Sequence, residues 1–121
     1  CCTSPFIRPE TISEMIQKIK TDKYDSAFSV REDRSFCWFK GDPINYNIEE
    51  SIPRTQDLIP VMSETSGLYI FSKEMFQNHS RRIGFNPYIK SLGIIESWDI
   101  DTPEDFTIAK AFSEIKDDIF G

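Results

Sequence analysis

The sequence predicts an α/β layer structure with a projecting arm. Three observations carry that expectation. Apolar residues recur at helical spacing near both ends of the chain, in 12–19 and in 106–115. Between these stretches lie short apolar runs of strand length, at 27–30, 65–71 and around 88–89. An aromatic ribbon, approximately 35–50, interrupts them and belongs to neither layer.

Taken in order, the chain begins at Cys1 with no initiator Met. Cys1-Cys2-Thr3-Ser4-Pro5-Phe6 reads as the tail of a strand entering a turn, as in a piece cut from within a domain. A helix is expected after Pro9, with Thr11 and Glu14 as a capping box and Ile12, Met15, Ile16 and Ile19 on one stripe. Ala27 to Val30 follows as a strand. Ser35-Phe36-Cys37-Trp38-Phe39-Lys40 is a second strand-like run, broken at Gly41-Asp42-Pro43, with Ile44 to Ile48 returning beside it. Such a ribbon is too small to be stable alone, so it either folds over the domain or packs on another subunit. Aromatic clusters of this kind favour the second outcome.

Ser51 to Met62 holds Pro53 and Pro60 and lacks periodicity, which makes it a loop. Thr65 to Phe71 has the character of a buried strand, and Ser72 to Asn78 opens a short helix. His79 has no second histidine or cysteine nearby and reads as a surface or helix-end residue. Asn86-Pro87 leads into a strand around Tyr88 and Ile89. Ile94, Ile95 and Trp98 read as the end of a further strand. Thr102 and Pro103 start the last helix, with Phe106, Ala109, Phe112 and Ile115 on one face and fraying at Asp117 and Asp118.

Composition narrows the classes of function. With 121 residues there is material for one modest domain, and ten Phe supply bulky core. A net charge of −6 without a basic stripe argues against nucleic-acid binding. No apolar run reaches the length that crosses a bilayer, and no charged-then-apolar leader is present. Three cysteines, two of them adjacent, suit neither a disulfide framework nor a zinc site, and point to a reducing, cytoplasmic setting.

The chemistry concentrates in three stretches. Asp99 and Asp101 are two residues apart, so extended backbone sends both carboxylates to one face. Paired hard oxygens suit Mg²⁺, which takes one or two carboxylates and fills its shell with phosphates and water. The alternative is a solvated acidic turn with a good cap, since Asp105 can bond back to the Thr102 amide. Arg54 sits with Thr55, Gln56 and Asp57 in the proline-rich loop. It can grip a carboxylate or phosphate through its planar fork, or pair with Asp57 or Glu64. Gly67, opening an apolar strand, implies close approach of another group to the backbone.

Thr3-Ser4-Pro5-Phe6, then Arg54-Thr55-Gln56-Asp57-Leu58 with Ser66-Gly67-Leu68-Tyr69-Ile70, then Asp99-Ile100-Asp101-Thr102-Pro103-Glu104-Asp105-Phe106 occur in that order. Together they resemble the acylneuraminate cytidylyltransferases, the CMP-sialic acid synthetases. The resemblance implies the C-terminal portion of a Rossmann-like nucleotide-diphospho-sugar transferase fold, spanning 1–121, with a β arm that forms a homodimer. It implies transfer of CMP from CTP to an acidic nine-carbon sugar, with pyrophosphate released and Mg²⁺ as cofactor. Asp99 and Asp101 would hold the metal on the triphosphate. Arg54 and Gln56 match the Arg-x-Gln stretch beside the acidic sugar. The backbone at Gly67, with Tyr69, would line the sugar pocket, and Thr3 and Ser4 belong to the substrate-binding set.

This sequence departs from the family in three places. The family's glycine-rich loop that holds CTP is not among these residues and is expected upstream of Cys1, so these residues alone are expected to be inactive. Cys1-Cys2 replace the common Gln-Pro, and Tyr69 comes one place earlier than usual after its glycine. These changes leave the sugar open. An eight-carbon ulosonic acid is one alternative. A rival of another class is a non-catalytic module that dimerises or binds sugar.

Overall fold

The computed structural model describes residues 3–21 and 23–120. The expectations placed on Cys1 and Cys2 lie outside the described residues. The fold is mixed α/β and its main sheet contains a parallel pair. The elements are α1 (Pro9–Lys20), β1 (Ser26–Asp33), β2 (Trp38–Phe39), β3 (Asp42–Pro43), a 3₁₀ turn (Thr55–Asp57), β4 (Val61–Phe71), α2 (Lys73–His79), β5 (Pro87–Ser91) and α3 (Pro103–Phe120). Two compact units emerge, one from residues before Glu32 and from Glu64 onward, the other Glu32–Ser63.

The first unit is built on β1, the middle strand of the order β4-β1-β5. Strand β5 runs parallel to it, with Phe28 opposite Ile89 and Val30 opposite Ser91. The first part of β1 is covered on both faces: Ser26, Ala27, Ser29 and Val30 are all buried, whereas Arg31, Glu32 and Asp33 are exposed. Buried hydroxyls need partners. Ser29 Oγ lies 2.6 Å from Thr65 Oγ1 on β4. Ser26 Oγ accepts the Gly84 amide at 2.8 Å and donates to the Asp25 carboxylate at 2.9 Å. The core is completed by Met15 of α1, Leu92, Ile95 and Ala109 of α3.

Helix α1 starts two residues before the expected cap. Arg8 is the capping position, Pro9 opens the helix, and no side chain caps it locally. Thr11 is inside the helix and gives its hydroxyl to the buried Glu96 carboxylate, which also accepts the Arg8 amide at 3.1 Å. A carboxylate from a distant turn thus sits where the helix dipole is positive. Glu14 bonds the Tyr88 hydroxyl and, at 3.1 Å, the Lys90 ammonium of β5. The Tyr88 bond, then Lys90, holds the Glu14 carboxyl below its usual range, while Tyr88 is pushed up to about 12. The capping box was misplaced because both of its residues are used in tertiary contacts.

Three other boundaries move. Strand β4 begins at Val61, not Thr65, and carries a left-handed residue, Ser66, with φ 62°. Residues 94–97 form a turn, closed by Ser97 N–H to Gly93 C=O at 3.0 Å, not the end of a strand. Helix α3 continues to Phe120 past the expected fraying, and the Arg8 guanidinium covers the Phe120 ring at 4.9 Å. On its apolar face Ala109 is buried, whereas Phe106 and Ile115 are exposed.

The second unit has its own small hairpin. Trp38 pairs with Pro43 and Phe39 with Asp42, so β3 rather than Ile44 to Ile48 is the returning strand. Lys40 and Gly41 form the turn, with φ 52° and 83°. Positive φ at both central residues is the twist a two-residue hairpin needs, and glycine adopts it without strain. The Trp38 indole donates to the Tyr46 hydroxyl at 2.9 Å, and Phe36 packs edge-on against Tyr46 at 4.8 Å. Leu58 is buried.

The loop after α2 depends on one carboxylate. Asp25 accepts the amides of Phe85 at 2.7 Å and Asn86 at 3.1 Å. Burial works to raise its pKa, but these amides and Ser26 outweigh it and hold the carboxyl below the usual range. A Cβ on Gly84 would fall 2.3 Å from Asp25 Oδ1. Gly84→Ala is therefore expected to cost about 1–3 kcal/mol by overpacking, read by urea denaturation. Native Asp25 releases its proton more readily than an unfolded aspartate. Its stabilisation is complete above the ordinary aspartate range and is lost as pH falls toward the depressed native value. Asp25→Asn is expected to lower stability at pH 7 and to flatten the acid limb of the stability–pH curve.

Candidate functional site

The segment from Trp98 to Asp105 is positioned from both sides. Upstream, the Ile100 amide donates to the Thr3 carbonyl at 2.8 Å, tying it to the N-terminal stretch. Downstream, the Trp98 indole donates to the Asp105 carbonyl at 3.0 Å and stacks edge-on against Phe112 of α3 at 5.2 Å. The cap expected at Thr102 is present. Thr102 Oγ1 accepts the Asp105 amide at 3.1 Å, and Asp105 Oδ2 accepts the Thr102 amide at 3.1 Å. Asp105 Oδ2 also accepts the Asp101 amide at 3.0 Å. That amide, with help from Thr102, holds the Asp105 carboxyl below its usual range.

Asp101 therefore gives the cap its backbone and keeps its side chain exposed. Among the described residues that carboxylate has no partner. Asp99 is half-buried, and its Oδ1 meets the Ser4 hydroxyl at 3.4 Å, a long contact. Both aspartates lie in irregular backbone after the 94–97 turn rather than on a strand. Among the described residues no group of three or more His, Cys, Asp or Glu gathers as a metal centre.

Ser4 also reaches Gly67. A Cβ at Gly67 would lie 3.4 Å from Ser4 Oγ and 3.0 Å from Ile7 Cδ1, so the close approach read from the sequence is to this N-terminal stretch. Ser4, Gly67 and Asp99, taken from three separate motifs, meet at one place in the first unit. Tyr69, two residues along β4, donates its hydroxyl to Glu64 at 2.5 Å and stacks with Phe28 at 6.4 Å. Burial, then the Glu64 bond, raises its pKa. Arg82 covers its ring at 4.4 Å.

Arg54 and Gln56 belong to the second unit. Arg54 is the residue before the 3₁₀ turn and Gln56 lies within it. The Arg54 guanidinium bonds Asp57 at 3.0 Å with both side chains largely exposed, one of the two pairings left open by the sequence.

Sequence reasoning passed over Arg82 and Glu64 as neighbours of Tyr69. Arg82 follows His79, Ser80 and Arg81 in sequence, and no spacing rule connects it to a strand residue thirteen positions earlier.

No protein-family model matches the chain. It is similar to N-acylneuraminate cytidylyltransferase A of Danio rerio, with 30% identity over 116 residues. The match covers 89% of this chain and 26% of that relative, so the chain spans about a quarter of the relative's length. Among the described residues no helix is long and apolar enough to cross a membrane.

The cap geometry separates two neighbouring residues experimentally. Thr102→Ala removes a cap acceptor and is expected to cost about 1 kcal/mol, within the usual 0.5–2. Asp101→Asn leaves the capping amide in place and is expected to change stability by less than about 0.5 kcal/mol. Urea denaturation of both variants checks the contrast.

Proposed function

We propose that the protein is a nucleotidyltransferase of the cytidylyltransferase type, with the Rossmann-like organisation that this implies. It joins CMP from CTP to an acidic nine-carbon sugar and releases pyrophosphate. The observation that carries this reading is the meeting of Ser4, Gly67 and Asp99, one from each stretch that resembles the family. The similarity to N-acylneuraminate cytidylyltransferase A of Danio rerio supports the same class. An eight-carbon ulosonic acid in place of the nine-carbon sugar keeps the reaction and changes only the acceptor.

In this reaction the anomeric hydroxyl attacks the α-phosphate of CTP, and pyrophosphate leaves. There is little covalent work for the protein, so alignment and charge neutralisation supply most of the rate. Asp99 and Asp101 would hold Mg²⁺. The donor set fits: two hard-oxygen carboxylates, one in a single long contact and one unpartnered among the described residues. When bound, the ion offsets the negative charge of the triphosphate. The Ser4 hydroxyl reaches Asp99 at 3.4 Å, and the absence of a side chain at Gly67 lets β4 pack directly on Ser4 and Ile7, which brings Ser4 beside the strand that carries Tyr69. In the second unit, Arg54 and Gln56 are the Arg-x-Gln pair that the resemblance assigns to the acidic sugar, with Arg54 held by Asp57.

The proposal includes a homodimer made through the aromatic unit. Trp38 and Phe39 are 53% and 63% exposed, and Ile44, Ile48 and Ile52 beside them in sequence are exposed as well. Leaving such area wet costs about 25 cal/mol per Å². Replacing Trp38 and Phe39 with Ser in the full-length protein is expected to give monomers by light scattering. A normal dimer from that variant removes the arm from the interface.

Pyrophosphate release from CTP, Mg²⁺ and a panel of acidic sugars tests the reaction itself. Asp99→Asn and Asp101→Asn are expected to lose most turnover while remaining folded, and to need more Mg²⁺ for half-maximal rate. Arg54→Lys keeps the charge without the planar fork. It is expected to raise the KM for the sugar and leave the Mg²⁺ requirement unchanged. Wild-type kinetics in both folded Asp variants would refute the metal role.

A further inference from the structure

We infer that Arg82 binds the carboxylate of the acidic sugar and sets the preference for an acid over its uncharged analogue. The inference rests on the cytidylyltransferase reading and assigns a specificity residue within it. Arg82 is exposed and its guanidinium carbon lies over the Tyr69 ring, 4.4 Å from the centroid. A ring takes no conventional hydrogen bond, so this contact leaves the guanidinium N–H donors available along their edge. Among the described residues no carboxylate or carbonyl accepts from that edge.

The arginines that have polar partners are differently placed. Arg8 faces Glu10 at 3.5 Å, Arg34 faces Glu32 at 3.4 Å and Arg54 faces Asp57 at 3.0 Å. Arg81, next in sequence to Arg82, donates to the carbonyls of Ile83 and Gly84. Arg54 must give up an anionic partner before it can take a substrate carboxylate. Arg82 need not.

The platform under Arg82 is fixed. The Tyr69 ring stacks with Phe28 and its hydroxyl donates to Glu64. The Glu64 carboxylate repels an incoming anion from the hydroxyl end, which leaves the guanidinium side to receive it. Gly67 lies two residues back on β4, on the same strand face and roughly 7 Å away at the usual rise. There it meets Ser4, which contacts Asp99. A nine-carbon sugar is long enough to span from the Ser4 hydroxyl beside Gly67 to the guanidinium. A planar fork on a carboxylate gives bidentate, charge-assisted bonds that a neutral group cannot match.

The test compares N-acetylneuraminic acid with its methyl ester on the full-length protein. Binding is followed by isothermal titration and KM by pyrophosphate release with CTP and Mg²⁺. The wild type is expected to favour the acid. Arg82→Gln is expected to weaken acid binding roughly tenfold or more, with the ester, the KM for CTP and the Mg²⁺ requirement unchanged. Arg82→Lys is expected to recover part of the loss. Lys73→Gln, the same charge change on α2, is expected to have no effect. A folded Arg82→Gln protein that keeps the wild-type preference overturns the role of Arg82 and leaves the cytidylyltransferase reading intact. A wild type that neither binds the acid nor releases pyrophosphate overturns that reading, and the inference with it.

Discussion

Burial of β1 on both faces is the constraint from which the first unit follows. Over residues 26–30 both faces are covered, so residues there must be small or apolar and their polar groups must be bonded. Ser26 and Ser29 meet that requirement through Gly84, Asp25 and Thr65. Each bond draws in another segment. Thr65 brings the start of the Ser66-Gly67 stretch against the middle strand. Ser26 and Asp25 fold the loop before β5 so tightly that only glycine fits at 84. Two hydroxyls in the core thus position both flanking strands.

A second polar arrangement sets the acidic segment. Asp105, rather than Asp101, carries the work of the α3 cap, because its carboxylate takes two successive amides. The consequence is a division within seven residues: Asp105 holds the helix, while the Asp101 side chain stays exposed and Asp99 meets Ser4 at 3.4 Å. Glu96 does for α1 what no local side chain does, from the turn just before. Both helix N-termini are therefore tied to the stretch between 96 and 105. Carboxylates near helix N-termini are favoured electrostatically, which lowers the cost of gathering so many in one stretch.

The two units differ in how they satisfy their apolar residues. The first buries Met15, Ala27, Val30, Leu92, Ile95 and Ala109. The second buries Leu58 and leaves Trp38, Phe39, Ile44, Ile48, Ile52 and Ile59 exposed. Its order comes from polar contacts instead: the Lys40-Gly41 turn, Asn45 bonding the Cys37 amide at 2.9 Å and the Ser35 carbonyl at 2.8 Å, and the Trp38–Tyr46 bond. A surface ordered by polar bonds and rich in uncovered aromatics has the composition of an interface core.

What the sequence by itself determined was local. Thr102-Pro103 and Asp105 encode a cap within four residues, Ser72 encodes another, and Gly67 encodes a close approach without naming its partner. These signals survive because they rely on neighbouring atoms and on backbone sterics. The tertiary structure decided everything whose partner is distant. Thr11 and Glu14 looked like a cap until Glu96 and Tyr88 claimed them, 85 and 74 positions away. Ile94 to Trp98 looked like a strand end because apolar content does not distinguish a buried strand from a buried turn. The meeting of Ser4, Gly67 and Asp99 was legible as three motifs in order, but not as one place. Arg82 over Tyr69 was not legible at all, because a contact between a loop and a strand leaves no period in the sequence. Local bonds are written in spacing, whereas contacts across the fold exist only once β1 has brought their segments together.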